Sequence, residues 1–299
     1  MRYAIRLKGC AAAVVFCLLF TAAAVTTQAQ QGSAPAPAAT PRPAPQAAAP
    51  SSAPLDLRVR ATESAIDASI PNDPATEAII APYSAKVHEL DAPIGKLVGQ
   101  LKKGGMGGGS LGNFVADALR ARAEARLGKP VLLAITNSGG LRKNEIAEGS
   151  LTSNDIYQLL PFENALVALD LTGEQLRRFL GVVVTHRDAQ SGARIAYRTN
   201  EKKESEIVTV KLGGGATEAE IDPKAVYTIV TIDYLVKRGG DYSLLQEAKN
   251  VHPLGLTMRD AVLEYVKAET AAGRNVKAAL DGRFRYEKAG VETKTEDEP

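Results

Sequence analysis

Apolar and polar residues alternate along the chain in short blocks, and the period of each block predicts its element. Ile79, Ile80, Tyr83 and Val87 recur at helical spacing, which predicts a helix over residues 74–90. Ile94 to Leu101 reads as a strand. After a glycine run, Leu111, Phe114, Val115, Ala118 and Leu119 form the apolar stripe of a second helix. Ser110 is its expected cap, and Arg120, Arg122 and Arg126 face away from the stripe. Val131 to Thr136 is β-branched and uninterrupted, the pattern of a strand covered on both faces.

Three capping signals punctuate the rest. Thr152-Ser-Asn-Asp155 opens a helix that must stop at Pro161, because proline lacks the amide and clashes with the preceding turn. Ala165 to Leu171 is a strand. Thr172-Gly-Glu-Gln175 then opens a helix that buries Leu176, Phe179 and Leu180. Arg194 to Arg198 and Glu206 to Leu212 alternate as hairpin strands around a polar turn. Val226 to Thr231 is a strand, and Thr257-Met-Arg-Asp260 opens an amphipathic helix through Ala268. Strands and helices mix without strict β-α-β order. The expected fold class is therefore α/β (α+β), a mixed sheet flanked by helices.

The ends of the chain differ in kind. Residues 1–29 carry Arg2, Arg6 and Lys8, then an apolar run from Ala11 to Val25 that is short for a membrane span, then Thr27-Gln-Ala29. This reads as a secretory signal, with an uncleaved anchor as the alternative. Residues 30–55 are mostly Ala, Pro, Ser and Gln, a composition that buries too little to fold and acts as a semi-rigid spacer. Residues 56–92 are a linker helix region, 93–287 the folded domain and 288–299 an acidic tail. The expected destination is the periplasm or the extracellular space, with no stable membrane span once the signal is removed.

Charge and cysteine content narrow the chemistry. Lys and Arg number 36 against 34 Asp and Glu, and no basic run interleaves with aromatics, so nucleic acid is not an expected partner. Both cysteines, Cys10 and Cys17, lie in the signal. The remaining chain has no disulfide framework, cysteine nucleophile or cysteine-ligated metal to offer.

One stretch organises the candidate chemistry. Ile135-Thr-Asn-Ser-Gly-Gly-Leu-Arg142 leaves an apolar strand and turns at once, helped by Asn137 and Gly139-Gly140. Arg142 then presents a planar fork of donors suited to phosphate. Leu160-Pro-Phe-Glu-Asn164 ends a helix and presents the Phe162 ring. A fork for an anion and a flat ring for a base are two halves of a nucleotide site. The plainer alternative is a solvated Arg142 and a core Phe162. Gly104 to Gly109 lacks the Lys-Ser/Thr ending of a P-loop, although amides at the following helix start suit an anion. A two-metal hydrolytic site needs clustered Asp, His and Asn ligands. His88, His186 and His252 are isolated, and no D-x-H, G-N-H-D/E or G-H-x-H string occurs. No catalytic or metal residue is assigned.

The wording of these segments resembles the C-terminal domain of the 5′-nucleotidase family. It does so through Leu111-Gly-Asn-Phe-Val-Ala-Asp117, Asn137-Ser-Gly-Gly-Leu-Arg142, Pro161-Phe-Glu-Asn164, Thr172-Gly-Glu-Gln-Leu176, and Asp233-Tyr-Leu235 with Gly239-Gly-Asp241. The resemblance implies a base held between Phe162 and Tyr234, the ribose at Asp241, phosphate at Arg142, and Asn137 and Asn164 lining the pocket. It also implies that the helix over 74–90 stands where two domains of the full enzyme join. Two departures matter. Gly105 and Gly107 stand where the family usually carries phosphate-binding arginines. The spacer Leu235-Val-Lys-Arg238 is one residue longer than usual. The metallophosphoesterase domain has no counterpart in residues 30–74. The expectation is thus an exported domain that recognises a nucleotide or nucleoside and needs no cofactor of its own. A separate metallophosphatase chain would bring the divalent metals. The alternative is a stand-alone nucleotide-binding or protein-interaction module without catalysis.

Overall fold

In the computed structural model, residues 60–67, 69–213, 218–277, 279–288 and 294–295 are described. The expected signal, the linker over 30–55 and nearly all of the acidic tail lie outside them. Residues Met1–Ile66 and Asp67–Pro299 are separate units, and every helix and strand below belongs to the second.

The unit opens with α1 (Pro74–Glu89), β1 (Pro93–Val98), β2 (Leu101–Lys102) and α2 (Gly109–Leu127). Next come β3 (Ala134–Thr136), β4 (Glu145–Ile146), β5 (Gly149–Thr152), α3 (Ser153–Leu159), β6 (Ala165–Thr172) and α4 (Gly173–His186). The middle holds β7 (Ala189–Ser191), β8 (Ala193–Thr199), β9 (Ser205–Leu212), β10 (Ala219–Glu220), β11 (Val226–Ile232) and α5 (Asp233–Arg238). It closes with β12 (Lys249–Thr257), α6 (Met258–Ala271), β13 (Val276–Lys277), β14 (Phe284–Tyr286) and β15 (Lys294–Thr295).

The central sheet runs β12-β6-β11-β3-β7. Only β11 and β3 are parallel within it, so the sheet is mixed as expected. A second sheet runs β10-β9-β8-β14-β15, and a third β13-β1-β5. Helix α2 packs on β3 and β7, and α4 on β6 and β11. Leu133, Ala134, Ile135, Leu166, Leu169, Ile229, Val230, Phe179 and Leu180 are fully buried where they meet. Transfer of such side chains from water, at about 25 cal/mol per Å² of apolar area, is the main favourable contribution to this core.

The capping signals act as read. Thr152 accepts from Asp155 N–H while Asp155 accepts from Thr152 N–H, and Thr172 and Gln175 do the same. Four details differ. The strand expected over Ile94 to Leu101 is two strands, because Gly99 takes φ 80° between them. The strand expected over Val131 to Thr136 is confined to its last three residues. Ser110 lies inside α2 rather than capping it. Its hydroxyl accepts from Lys102 N–H at 2.9 Å, and Gly108 with φ 76° is the cap. The stripe on α1 is not buried: Ile79, Ile80, Tyr83 and Val87 are all exposed.

The Leu111-to-Asp117 motif proves to be structural. A side chain at Gly112 would meet the Gly107 carbonyl at 1.9 Å, so only glycine lets the loop cross α2 there. Asn113 donates to the Ala279 carbonyl at 3.0 Å. Asp117 receives both terminal nitrogens of Arg283, at 2.9 and 3.0 Å. The motif thereby fastens the C-terminal segment to α2.

Candidate functional site

The candidate site is a cleft of about 390 Å³ lined by Asn137, Gly139, Gly140, Arg142, Phe162, Asn164, Tyr234 and Arg238. It lies at the strand ends of the central sheet, where β3 and β11 finish and β6 begins. In open α/β sheets the crevice beyond the carboxyl ends of parallel strands is the usual ligand position, because loops there converge without blocking the sheet.

Local bonds bring the lining together. β3 ends at Thr136 and the chain turns over Ser138–Gly140. The Arg142 N–H donates to the Leu159 carbonyl at 2.9 Å, which sets the turn beside the end of α3. Pro161 then frees the chain to expose Phe162. From the third side, Asp233 accepts from Ala165 N–H at 2.9 Å, so Tyr234 and Asn164 share a rim. Arg259, buried at the start of α6, pairs with Glu163 and lies 4.4 Å from the centre of the Tyr157 ring. It props up the Leu160-to-Glu163 segment from beneath.

Phe162 and Tyr234 are 40% and 43% exposed, unusual for large rings and opposite to a core role for Phe162. The Arg142 guanidinium lies 5.0 Å from the Phe162 centroid, a cation–π distance. Asn137 is buried, and its Oδ1 has no hydrogen-bond partner among the described residues. A buried acceptor left unpaired costs about 1–3 kcal/mol, so a donor from ligand or water is favoured there.

Five of the six side chains expected at the site therefore line one cleft: Asn137, Arg142, Phe162, Asn164 and Tyr234. Asp241 does not. It bonds His186 at 2.8 Å and borders a separate hollow with Arg178, Thr185 and Leu244. The physical reason is the long spacer. After that spacer Gly239 and Gly240, with φ 70° and 60°, turn the chain toward α4, where Asp241 pairs with His186. Arg238 takes the place on the rim, its guanidinium 5.9 Å from the Tyr234 centroid. Arg238 was not singled out from the sequence. The spacer length was the signal that pointed to it.

One of the two glycines that stand where arginines are expected, Gly107, is used in packing: a side chain there would lie 2.5 Å from the Phe284 ring. Lys103, the neighbouring cation, donates to the Leu141 carbonyl at 2.8 Å. The letters Gly108-Gly109-Ser110-Leu111-Gly112 also fit the G-x-S-x-G nucleophile pattern. The Ser110 hydroxyl is buried against Lys102 backbone and bonds no histidine, so it lacks the base that pattern requires. Among the described residues, no three His, Cys, Asp or Glu side chains are grouped to hold a metal ion.

Behind the turn lies Asp188, 2% exposed, accepting from Ser138 N–H at 3.1 Å and from the Tyr242 hydroxyl at 2.5 Å. Burial pushes its carboxyl from the ordinary 3.8 up to about 6, against those two bonds and the nearby His186 and Arg238 charges. The folded state thus holds the Asp188 proton more tightly than the unfolded chain. Stability from this group is fully present below pH 3.8 and is lost as pH rises through about 6. Asp188→Asn stays neutral throughout. Wild type should therefore gain on the order of 3 kcal/mol relative to Asp188→Asn between pH 7 and pH 4. Urea unfolding of both proteins across that range checks it, and a gap independent of pH refutes it.

Fold and cleft together define a mixed-sheet α/β domain whose rings and guanidinium groups line a cleft at the strand ends. Comparison with known proteins gives the family. The profile of the 5′-nucleotidase C-terminal domain matches residues 91–247, and the chain belongs to that family. It is 28% identical over 184 residues to the trifunctional nucleotide phosphoesterase protein YfkN of Bacillus subtilis, covering 59% of this chain and 12% of that protein. It is 26% identical to the 5′-nucleotidase of Vibrio vulnificus, over 74% of this chain and 39% of that one. The 5′-nucleotidase precursor of Thermus thermophilus shares the fold, with a TM-score of 0.57, 24% identity, and coverage of 71% of this chain and 43% of that one. The chain thus spans well under half the length of these relatives. Family membership associates it with nucleotide metabolism. No helix among the described residues is long and apolar enough to cross a membrane.

Proposed function

We propose that this chain is the exported nucleotide-recognition half of a split 5′-nucleotidase. The observation that carries the reading is the gathering of Asn137, Arg142, Phe162, Asn164 and Tyr234 in one cleft. Phe162 and Tyr234 hold the base, Arg142 meets the 5′-phosphate, and Asn137 and Asn164 supply amide contacts. A separate metallophosphatase chain brings the divalent metals and the activated water. One feature favours a partner: the open apolar stripe of Ile79, Ile80, Tyr83 and Val87 on α1. The charged start and apolar run of residues 1–29 favour export.

The purified chain should bind adenosine and 5′-AMP in calorimetric titrations, yet release no phosphate from 5′-AMP with Mg²⁺ or Mn²⁺. Metal-dependent release by this chain alone, abolished in Arg142→Ala, overturns the split reading. Failure to bind any nucleoside or nucleotide favours the interaction-module alternative.

A further inference from the structure

We propose that Arg238 makes the cleft a two-anion site, selective for nucleotides that carry a phosphate on the ribose as well as at the 5′ position. The inference rests on the nucleotide reading above and adds the ligand class.

The side-chain acceptors that line the cleft are the neutral amides of Asn137 and Asn164. None of the eight lining residues is acidic. Asp241, the acidic group of that segment, bonds His186 and borders a different hollow. In its stead the rim carries a guanidinium, a group that only donates. A phosphate ester on the ribose would therefore meet a donor at this rim and no lining carboxylate to repel it.

Arg238 is held, not merely exposed. Its guanidinium lies 5.9 Å from the Tyr234 centroid and 5.0 Å from that of Tyr242, which is buried. Stacking on rings leaves the edge donors of a guanidinium free for a bidentate anion contact. Among the described residues, neither Arg142 nor Arg238 has a carboxylate within 4.0 Å. Asp188, whose charge Arg238 influences, is already bonded to Tyr242 and Ser138. The two arginines come from different walls, Arg142 beside Phe162 and Arg238 beside Tyr234. A nucleotide whose base reaches both rings can thus offer one phosphate to each.

The test is calorimetric titration of the full chain with adenosine, 5′-AMP and adenosine 3′,5′-bisphosphate. The bisphosphate should bind about tenfold tighter than 5′-AMP, as expected for one charge-assisted contact. Arg238→Gln should erase that gain, so that the bisphosphate binds no tighter than 5′-AMP, with an unaltered circular dichroism spectrum. If adenosine and 5′-AMP bind with dependence on Phe162 but the 3′-phosphate adds nothing, the two-anion site is wrong and the nucleotide reading stands. If Arg238→Gln weakens 5′-AMP as much as the bisphosphate, both arginines grip one phosphate and the proposal fails. If none of the three compounds binds, the nucleotide reading and this inference fall together.

Discussion

Phe162→Ala should lower the affinity for adenosine about tenfold to a hundredfold while leaving the melting temperature nearly unchanged. The magnitude follows from base–aromatic stacking, on the order of 1–3 kcal/mol per base. The second half follows from exposure. A ring that is 40% open to solvent contributes little packing, so removing it leaves no large cavity. Arg142, which lies 5.0 Å from the ring centroid, would also lose its stacking surface. Phosphorylated ligands should therefore suffer slightly more than adenosine. Phe162→Trp should restore binding, because any flat ring of sufficient area serves. Titration of the three proteins with adenosine and 5′-AMP decides the matter. Equal affinities for wild type and Phe162→Ala would remove the ring from the site.

Asp117→Asn should cost about 3 kcal/mol of stability with no effect on nucleoside affinity. Arg283 is buried, and it donates to Asp117, Asp281 and the Gln190 carbonyl. Burial alone would lower its pKa, but the bonds to Asp281 and Asp117 outweigh that and hold it above the ordinary arginine value. Breaking one partner of a buried ion pair typically costs about 3–5 kcal/mol, because the remaining charge stays desolvated. The low end applies here, since Asp281 remains and Asp117 is itself 40% exposed. Urea unfolding measures the loss. A change below about 1 kcal/mol would mean the pair is screened like an ordinary surface bridge. Unchanged affinity for adenosine would separate this stability role from the cleft, where neither residue lies.

The local elements were largely legible in the chain. Capping boxes at Thr152 and Thr172 fix helix starts through bonds three residues apart, so the sequence states them directly. The helical period of Leu111, Phe114, Val115, Ala118 and Leu119 states which face of α2 is buried. The motif order was enough to mark five of the cleft's side chains, because each sits at a strand end or helix stop. Other decisions belong to the tertiary structure, since they depend on residues far apart in the chain. The period of Ile79, Ile80, Tyr83 and Val87 names a face on α1 but not whether anything covers it. Gly112 is a glycine because the loop at Gly107 crosses it. The Asp188 carboxyl is pushed up because the fold buries it, against the bond it accepts from Tyr242, 54 positions away. Asp241 and Arg238 lie three residues apart, yet one bonds His186 on α4 and the other faces the cleft. Motif spacing carries the types of residue at such a site. Which of them faces the cleft is set by the path of the backbone between packed elements.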